Sequence, residues 1–272
     1  MTPNHSSETY HVAIQTPVGE VQAEVSVPTS FIPLSSLVSP MRALGEQALA
    51  LEQQRVESTG LSISCHKGCA ACCRMLVPVS PPEAFTLHRT VQALPEPQRT
   101  AIQDRFRQTQ HILEETGLLG QLVQLAETRT QWSDEQMDPL NRAYYALRLP
   151  CPFLDDNELC SIYHDRPAAC RELLVTSPPE WCQDVTCHPV RPLQVHVRAG
   201  TVLSLLWAEL DHGPARLIPL PVALDWAERH QSELRSQWTG RELLDKALTH
   251  LSRFLSQHHS SPPASSPFPP TR

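Results

Sequence analysis

The distribution of nine cysteines constrains this chain more than any other feature of its sequence. Four of them lie between positions 65 and 73, five lie between positions 151 and 187, and residues 1–64 and 188–272 contain none. The odd count, with no export signal at the first residues, argues against a disulfide framework. Reduced thiols at this density are typical ligands of zinc, iron–sulfur clusters or Cu(I). The pattern therefore predicts a thiolate metal site, with disulfides or unrelated buried thiols as the alternatives.

Charge and hydropathy exclude several classes of partner. Asp and Glu outnumber Lys and Arg by 29 to 22, for a net charge of −7, so the chain lacks the basic surface that nucleic-acid binding requires. The longest apolar stretch, near Val202 to Ala208, is much shorter than the roughly 20 residues of a membrane span. We therefore expect a cytoplasmic protein with neither a nucleic acid nor a membrane as its partner.

The hydrophobic pattern predicts a mainly α fold. Apolar and polar residues alternate from Tyr10 to Val27, which indicates a β-hairpin. Ser39 followed by Pro40 predicts a helix start, and the helical spacing continues to Gly60. Ser80-Pro81-Pro82-Glu83 has the form of a capping box. Further helices are predicted over 102–113, 118–125, 140–147, 192–210, 222–230 and 241–255.

These elements predict a helical domain with an N-terminal β-hairpin and a small cysteine-bearing hairpin at the metal site. Residues 1–38 form the hairpin extension, and residues 39–190 form the metal-binding domain with its helical layer. Residues 191–256 supply C-terminal helices that pack on the same domain. The Ser- and Pro-rich residues 257–272 are predicted to be a disordered tail.

The first cysteine segment, Cys65-His66-Lys67-Gly68-Cys69-Ala70-Ala71-Cys72-Cys73, allows two geometries. On a helix, thiols three and four residues apart would form one stripe. If Gly68 instead breaks the helix, the backbone can turn tightly and aim its amides at sulfur. Adjacent cysteines diverge in direction, so Cys72 and Cys73 are more suited to different metals of a cluster than to one small ion.

The second segment begins with two apolar arms around an acidic turn, Cys151 to Cys160, which predicts a small hairpin. Pro167 is well placed to open a helix with Cys170 on its first turn. Three arginines lie next to cysteines, and they either offset thiolate charge or pair with surface carboxylates: Arg74, Arg166 and Arg171. The aspartates of the acidic turn are expected to serve the turn itself rather than acid catalysis.

Together these motifs resemble the YkgJ-type cysteine-cluster family of bacteria, a zinc- or iron-chelating CxxCxxCC domain. The similarity rests on Cys65-x3-Cys69-x2-Cys72-Cys73, Cys151-Pro-Phe-Leu, Cys160-Ser-Ile-Tyr and Arg166-Pro-Ala-Ala-Cys170-Arg171, and it spans about Cys65 to Cys182. The family has eight cysteines. The resemblance implies the metal ligands Cys65, Cys69, Cys72, Cys73, Cys151, Cys160 and Cys170, with either Cys182 or Cys187 as the eighth; we take Cys182.

Three functions follow from these motifs. The first is a metal-chelating or electron-transfer module holding an iron–sulfur cluster, foremost [4Fe–4S], or zinc, since eight thiolates exceed the four that one zinc takes. The second is an S-adenosylmethionine-dependent iron–sulfur enzyme that modifies a protein, which a relative, the flagellin lysine methylase, implies. The third is a structural zinc protein that acts through a protein partner.

Other residues leave these alternatives open. His66, His164 and His188 each lie beside a cysteine and are either ring-nitrogen ligands or polar groups near the site. Nucleotide-binding and hydrolase motifs are absent from the sequence, which disfavours those two activities. The S-adenosylmethionine-dependent alternative stays open, so the sequence does not decide whether the chain is an enzyme.

Overall fold

The computed structural model describes residues 6–128, 134–185 and 187–258. Its N-terminal hairpin consists of β1 (Ser7–Thr16) and β2 (Gly19–Pro28), which pair antiparallel in a continuous register. Along both strands buried and exposed residues alternate, so one face enters the core and the other stays polar. The hairpin packs against the first long helix and against the last.

Helices form most of the remaining structure. They are α1 (Val38–Ser58), α2 (Pro81–Ala93), α3 (Glu96–Glu115), α4 (Leu119–Glu127), α5 (Asp134–Ala146), α6 (Ala168–Glu172), α7 (Ala199–Leu210), α8 (Leu220–Arg229) and α9 (Gly240–His258). Two pairs of short antiparallel strands connect distant parts of the chain. These are β3 (Phe31–Ile32) with β6 (Trp238–Thr239), and β4 (Pro78–Val79) with β5 (Ile218–Pro219).

The hydrophobic core lies between α2, α7, α8 and α9. Phe85 of α2 contacts Trp207 of α7 and Trp226 of α8, with ring centroids 5.7 and 5.3 Å apart. Trp226 is fully buried. The same core cluster includes residues of the hairpin and of α9, so the first and last elements share one apolar interior.

The fold confirms the predicted mainly α class with its N-terminal hairpin. The capping box is also confirmed, because the Ser80 side chain accepts from the backbone at Glu83 while the Glu83 carboxylate accepts from the Ser80 N–H. The predicted cap at Ser39 is wrong, since a 3₁₀ turn over Leu34–Leu37 runs directly into α1.

Two other predictions concern the C-terminal part of the chain. The helix predicted over 192–210 is shorter than expected, because residues 191–193 pair with the chain near Val175 and α7 begins only at Ala199. Backbone groups that are hydrogen-bonded in this pairing cannot also form the hydrogen bonds of a helix. The predicted disordered tail lies outside the described residues, apart from the end of α9. None of the helices in the described part of the chain has both the length and the apolar character of a membrane span.

Candidate metal centre

The first cysteine segment forms a series of turns rather than a helix. Gly68 has a φ of +94°, a left-handed conformation that glycine adopts at little cost. Backbone hydrogen bonds from Cys69 N to His66 O (3.1 Å) and from Cys73 N to Ala70 O (3.0 Å) close two of the turns. Of the two geometries that the sequence allows, the structure therefore has the one in which Gly68 breaks the helix.

The second segment begins with a tight turn between Cys151 and Cys160. A single antiparallel bridge joins Leu154 to Cys160, so the predicted hairpin is reduced to one pairing. The Asp155 carboxylate accepts from the N–H groups of Asn157 (2.9 Å) and Leu159 (2.8 Å), which confirms that this acidic side chain serves the turn.

A buried carboxylate positions the short helix that carries Cys170. Glu83 Oε1 accepts a 2.8 Å hydrogen bond from Ala168 N, the first residue of α6, and Glu83 is only 1% exposed. The N–H groups at the start of a helix lack partners within the helix, so this contact satisfies one of them. The capping box of α2 thus also fixes where α6 begins.

The two cysteine segments meet in the folded chain. Cys151 N donates a 2.7 Å hydrogen bond to Cys73 O, although 77 residues separate these positions in the sequence. The Cys72 thiol interacts electrostatically with thiols on both sides of this contact, those of Cys65, Cys151, Cys170 and Cys182. All nine cysteines are free thiols, so no disulfide competes with metal binding.

Cys182 and Cys187 differ in burial. Cys182 lies in a 3₁₀ turn over Pro179–Gln183 and is buried, whereas Cys187 is exposed. Tyr145 of α5 holds this turn, because its hydroxyl accepts from Val185 N at 3.1 Å and donates to Cys182 O at 3.5 Å. The structure therefore brings Cys182 to the other thiols and leaves Cys187 at the surface.

Burial disfavours the charged form of most of these thiols. It raises the pKa of Cys151 to about 12 and that of Cys182 to about 11, and charge repulsion from neighbouring thiols adds to both increases. Burial also raises the pKa values of Cys65, Cys160 and Cys170. Cys72 is the exception: its pKa is lowered because the Cys73 thiol donates a hydrogen bond to it, and the pKa of Cys73 is raised by the same bond.

Backbone amides and one arginine offset part of this cost. Val175 N donates to Cys65 Sγ at 3.4 Å, and the N–H groups of Phe153 and Ile162 donate to the sulfurs two residues before them, Cys151 and Cys160. The Arg166 guanidinium lowers the pKa values of four thiols, against the effect of burial. These are Cys65, Cys72, Cys160 and Cys170.

A second arginine, which no sequence motif predicts, faces the site. Arg105 of α3 donates from Nε to Pro152 O at 2.8 Å and from Nη2 to Ser161 Oγ at 3.5 Å, and its charge lowers the pKa of Cys151. Arg105 is 32 residues from the nearest cysteine in sequence, Cys73, so no local motif marks it. The arginines next to cysteines mostly pair elsewhere, Arg74 with Glu158 and Arg171 with Glu46.

The three histidines near the cysteines are engaged outside the thiol cluster. His66 Nδ1 lies 3.1 Å from Ser64 O, and the ring of His188 stacks on Trp181. His164 is exposed and contacts the edge of Tyr163. These contacts agree with polar groups near the site rather than with ring-nitrogen ligands.

The chemistry of the donor set fits a thiophilic metal. Eight thiols, amide donors to three sulfurs and two guanidinium groups are gathered in one region, and these features lower the cost of several thiolates. In the described residues, no three or more Cys, His, Asp or Glu side chains are already arranged in the geometry of a bound metal ion. The fold therefore brings the cysteines into one region without grouping three of their side chains in ligand positions in the described part of the chain.

Comparison with known proteins identifies the region that contains these thiols. Residues 64–188 match the family model CxxCxxCC, described as "Putative zinc- or iron-chelating domain". These 125 of the 272 residues are similar to that family. The matched region, called the CxxCxxCC domain below, holds all nine cysteines, and the hairpin, α1 and the helices after α6 lie outside it. No curated protein and no solved structure matched the chain.

The family match confirms the resemblance drawn from the cysteine spacing. It supports chelation of zinc or iron by the CxxCxxCC domain, and it covers both cysteine segments and the layer of helices α2 to α5 between them.

Proposed function

We propose that the CxxCxxCC domain binds an iron–sulfur cluster or zinc and acts as a metal-chelating or electron-transfer module. The ligands come from both segments: Cys65, Cys69, Cys72, Cys73, Cys151, Cys160, Cys170 and Cys182. When bound, such a centre supplies either a fixed cross-link between the segments or a site for one electron.

The observation that carries this proposal is the meeting of the two segments at the bond from Cys151 N to Cys73 O, 2.7 Å long. Burial raises the pKa values of Cys151 and Cys170, and repulsion between neighbouring ionised thiols adds to the increase. A bound cation removes both costs, because it neutralises the thiolates and replaces their lost hydration.

The location of the thiols suits exchange with a partner. As whole residues, seven of the eight are partly exposed and Cys182 is buried, while the thiols of Cys151 and Cys170 lie in the interior, where burial raises their pKa values. The centre therefore lies just below the surface, where an electron donor or a metal donor can approach it. Eight thiolates exceed the set of one tetrahedral zinc, which favours a cluster or more than one ion.

Anaerobic purification of the full chain tests this proposal. Iron with acid-labile sulfide and a visible absorption band would identify an iron–sulfur cluster, and a colourless protein with stoichiometric zinc would identify the zinc form. A chain that binds neither metal after reconstitution under reducing conditions contradicts the proposed function.

The convergence of the segments also bears on the enzyme alternative. An S-adenosylmethionine-dependent cluster needs one iron without a protein ligand, whereas here the second segment offers further thiols beside the first. Full ligation by protein therefore favours the module. Calorimetric titration of the reconstituted protein with S-adenosylmethionine separates the two, and saturable binding would support the enzyme.

A further inference from the structure

The outer strand of the N-terminal hairpin, β1, has an open edge. Its ten residues pair with β2 in one continuous antiparallel register. Thr29 N donates to Ser6 O at 2.9 Å, so these two residues form a hydrogen-bonded pair at the end of that ladder. Such pairs alternate with non-bonded ones in an antiparallel ladder, so the even-numbered residues of β1 bond to β2. The backbone N–H and C=O groups of the odd-numbered residues therefore point away from β2: Ser7, Thr9, His11, Ala13 and Gln15.

These five residues form what we call the β1 edge, which is uncovered in the described part of the chain. Each of the five side chains is exposed, and no backbone hydrogen bond to another element involves these residues there. The contacts of the hairpin with α1 and α9 are made mainly by β2. A strand edge with free donors and acceptors is a template for pairing with another strand.

The opposite edge of the hairpin has features that prevent strand pairing. The outward-facing positions of β2 include Glu20 and Glu24, which are exposed and charged, and Pro28, which has no N–H to donate. Gly240, the first residue of α9, also packs closely against the carbonyl of Pro28. The strand β1 contains no proline, lysine or arginine and no bulge, and its single acidic residue, Glu8, is not among the outward-facing five. Of the two edges, the β1 edge is therefore the one open to pairing.

We propose that the β1 edge pairs antiparallel with the β1 edge of a second copy of this chain and joins the two hairpins into a four-stranded sheet. The longest register has its two-fold axis at His11, and shifting the axis by one residue reduces five hydrogen-bonded pairs to four. Five pairs form about ten backbone hydrogen bonds, the number found in a typical interface. The pairs are His11 with its own copy, Thr9 with Ala13, and Ser7 with Gln15.

Sequence and charge favour a second copy as the occupant. Glu8 falls opposite Ile14 in this register, so no like charges of the two strands face each other. The C-terminal residues of the same chain are poor candidates for the added strand, because five of residues 262–272 are proline. Pairing about a two-fold axis uses the β1 edge of both copies, so the assembly closes as a dimer with the charged β2 edges outside.

Sedimentation equilibrium of the reduced, metal-free full chain between about 1 and 200 µM tests the proposal, and we expect a reversible monomer–dimer equilibrium. His11→Lys places two like charges at the axis and should raise the dimer dissociation constant about fivefold. Gln22→Lys changes an exposed, outward-facing position of β2 and serves as the matched control. It should leave the dissociation constant unchanged. Because no thiol takes part, these outcomes do not depend on the proposed function.

Hydrogen exchange of the unmodified chain provides a measurement that does not depend on variants. The amides of Thr9, His11 and Ala13 should exchange more slowly as the protein concentration rises, whereas those of Val12 and Ile14 should be protected at every concentration. A chain that stays monomeric over the whole range would overturn the proposal. So would a dimer that His11→Lys weakens no more than Gln22→Lys does, or exchange at the odd-numbered amides that does not depend on concentration.

Discussion

Gly68 holds the turn between Cys65 and Cys69 in a left-handed conformation, with φ at +94°. A Cβ there would meet only Leu159 Cδ2, at 3.7 Å, so Gly68→Ala should act through backbone strain of about 1 kcal/mol rather than through a clash. In the metal-free variant the loop can relax and release this strain. In the metal-bound variant the cysteine ligands would hold the loop in its strained conformation. We expect zinc affinity to fall about fivefold, measured by competition with a chelator.

Gly117 offers a matched control for this substitution. It also has a positive φ, +72°, with open space around it, and it lies in the turn between α3 and α4. Gly117→Ala should destabilise the fold by a similar amount and leave zinc affinity unchanged. Equal losses of affinity in both variants would contradict a local role for Gly68.

Arg105 lies outside the two cysteine segments, and its charge lowers the pKa of Cys151. We expect Arg105→Gln to lower zinc affinity by about tenfold, because it removes both the charge beside Cys151 and the hydrogen bond to Pro152 O. Arg105→Lys should restore part of the loss. Arg107 lies on the same helix, exposed and paired with Asp104, so Arg107→Gln should bind zinc as the unmodified chain does.

Glu52 gives the metal-free fold a dependence on acid. Burial raises the pKa of this carboxyl, but the hydrogen bonds and charge of Arg55 and the charge of His196 outweigh burial, and the pKa lies below its usual 4.5. A lowered pKa stabilises the fold above the unfolded value, and this stabilisation is lost as the pH falls through the folded value. We expect Glu52→Gln to cost about 1–2 kcal/mol at pH 7, and we expect the difference from the unmodified chain to shrink below pH 4.5.

Urea denaturation of the metal-free chain across this pH range measures the effect. Glu57, exposed on the same helix, is the control, and Glu57→Gln should change stability little at any pH. A difference for Glu52→Gln that stays constant down to pH 3 would contradict the assignment of this ionisation.

Between elements, Glu83 ties α2 to α6 and to α1. Its carboxylate accepts from Ser80, from Ala168 N, and from Arg42, whose side chain is also buried. Glu83→Ala leaves the Arg42 charge without this partner in the interior, and we expect a loss of about 3 kcal/mol in the free energy of unfolding. Because α6 carries Cys170, zinc affinity should fall as well.

Glu96 provides the comparison for this prediction. It lies in the first turn of α3 and pairs with Arg99 at the surface, where an ion pair contributes little. Glu96→Gln should change the free energy of unfolding by less than about 0.5 kcal/mol. A similarly small effect of Glu83→Ala would show that α6 is positioned by its apolar contacts instead.

A bound metal should stabilise the whole fold by an amount that increases with the ratio of metal concentration to dissociation constant. A ligand at a hundred times its dissociation constant adds about 2.7 kcal/mol, which corresponds to about 5–10 °C in Tm for a chain of this size. We expect a strong chelator to lower Tm by this amount, measured by calorimetry under reducing conditions. Cys187→Ala should show the same decrease in Tm on addition of the chelator. If the Tm of the unmodified chain does not change when the chelator is added, the thiols contribute no metal-linked stability.

The sequence by itself determined the elements and the kind of chemistry. Alternation from Tyr10 to Val27 is enough to specify a hairpin, and Ser80 with Glu83 is enough to start a helix, because both depend on residues within a few positions of each other. The spacing of the cysteines likewise indicated a metal-chelating family, which the match over residues 64–188 bears out.

The tertiary structure decided which groups meet. Cys73 contacts Cys151, and Arg105 of α3 contacts the second cysteine segment, although these residues are distant in sequence. The packing also buries Cys182 and leaves Cys187 exposed. Such contacts depend on how the helices pack, and no local sequence pattern predicts that packing. The physical reason is that backbone propensity acts over a few residues, whereas burial and charge act between any groups that the fold brings together.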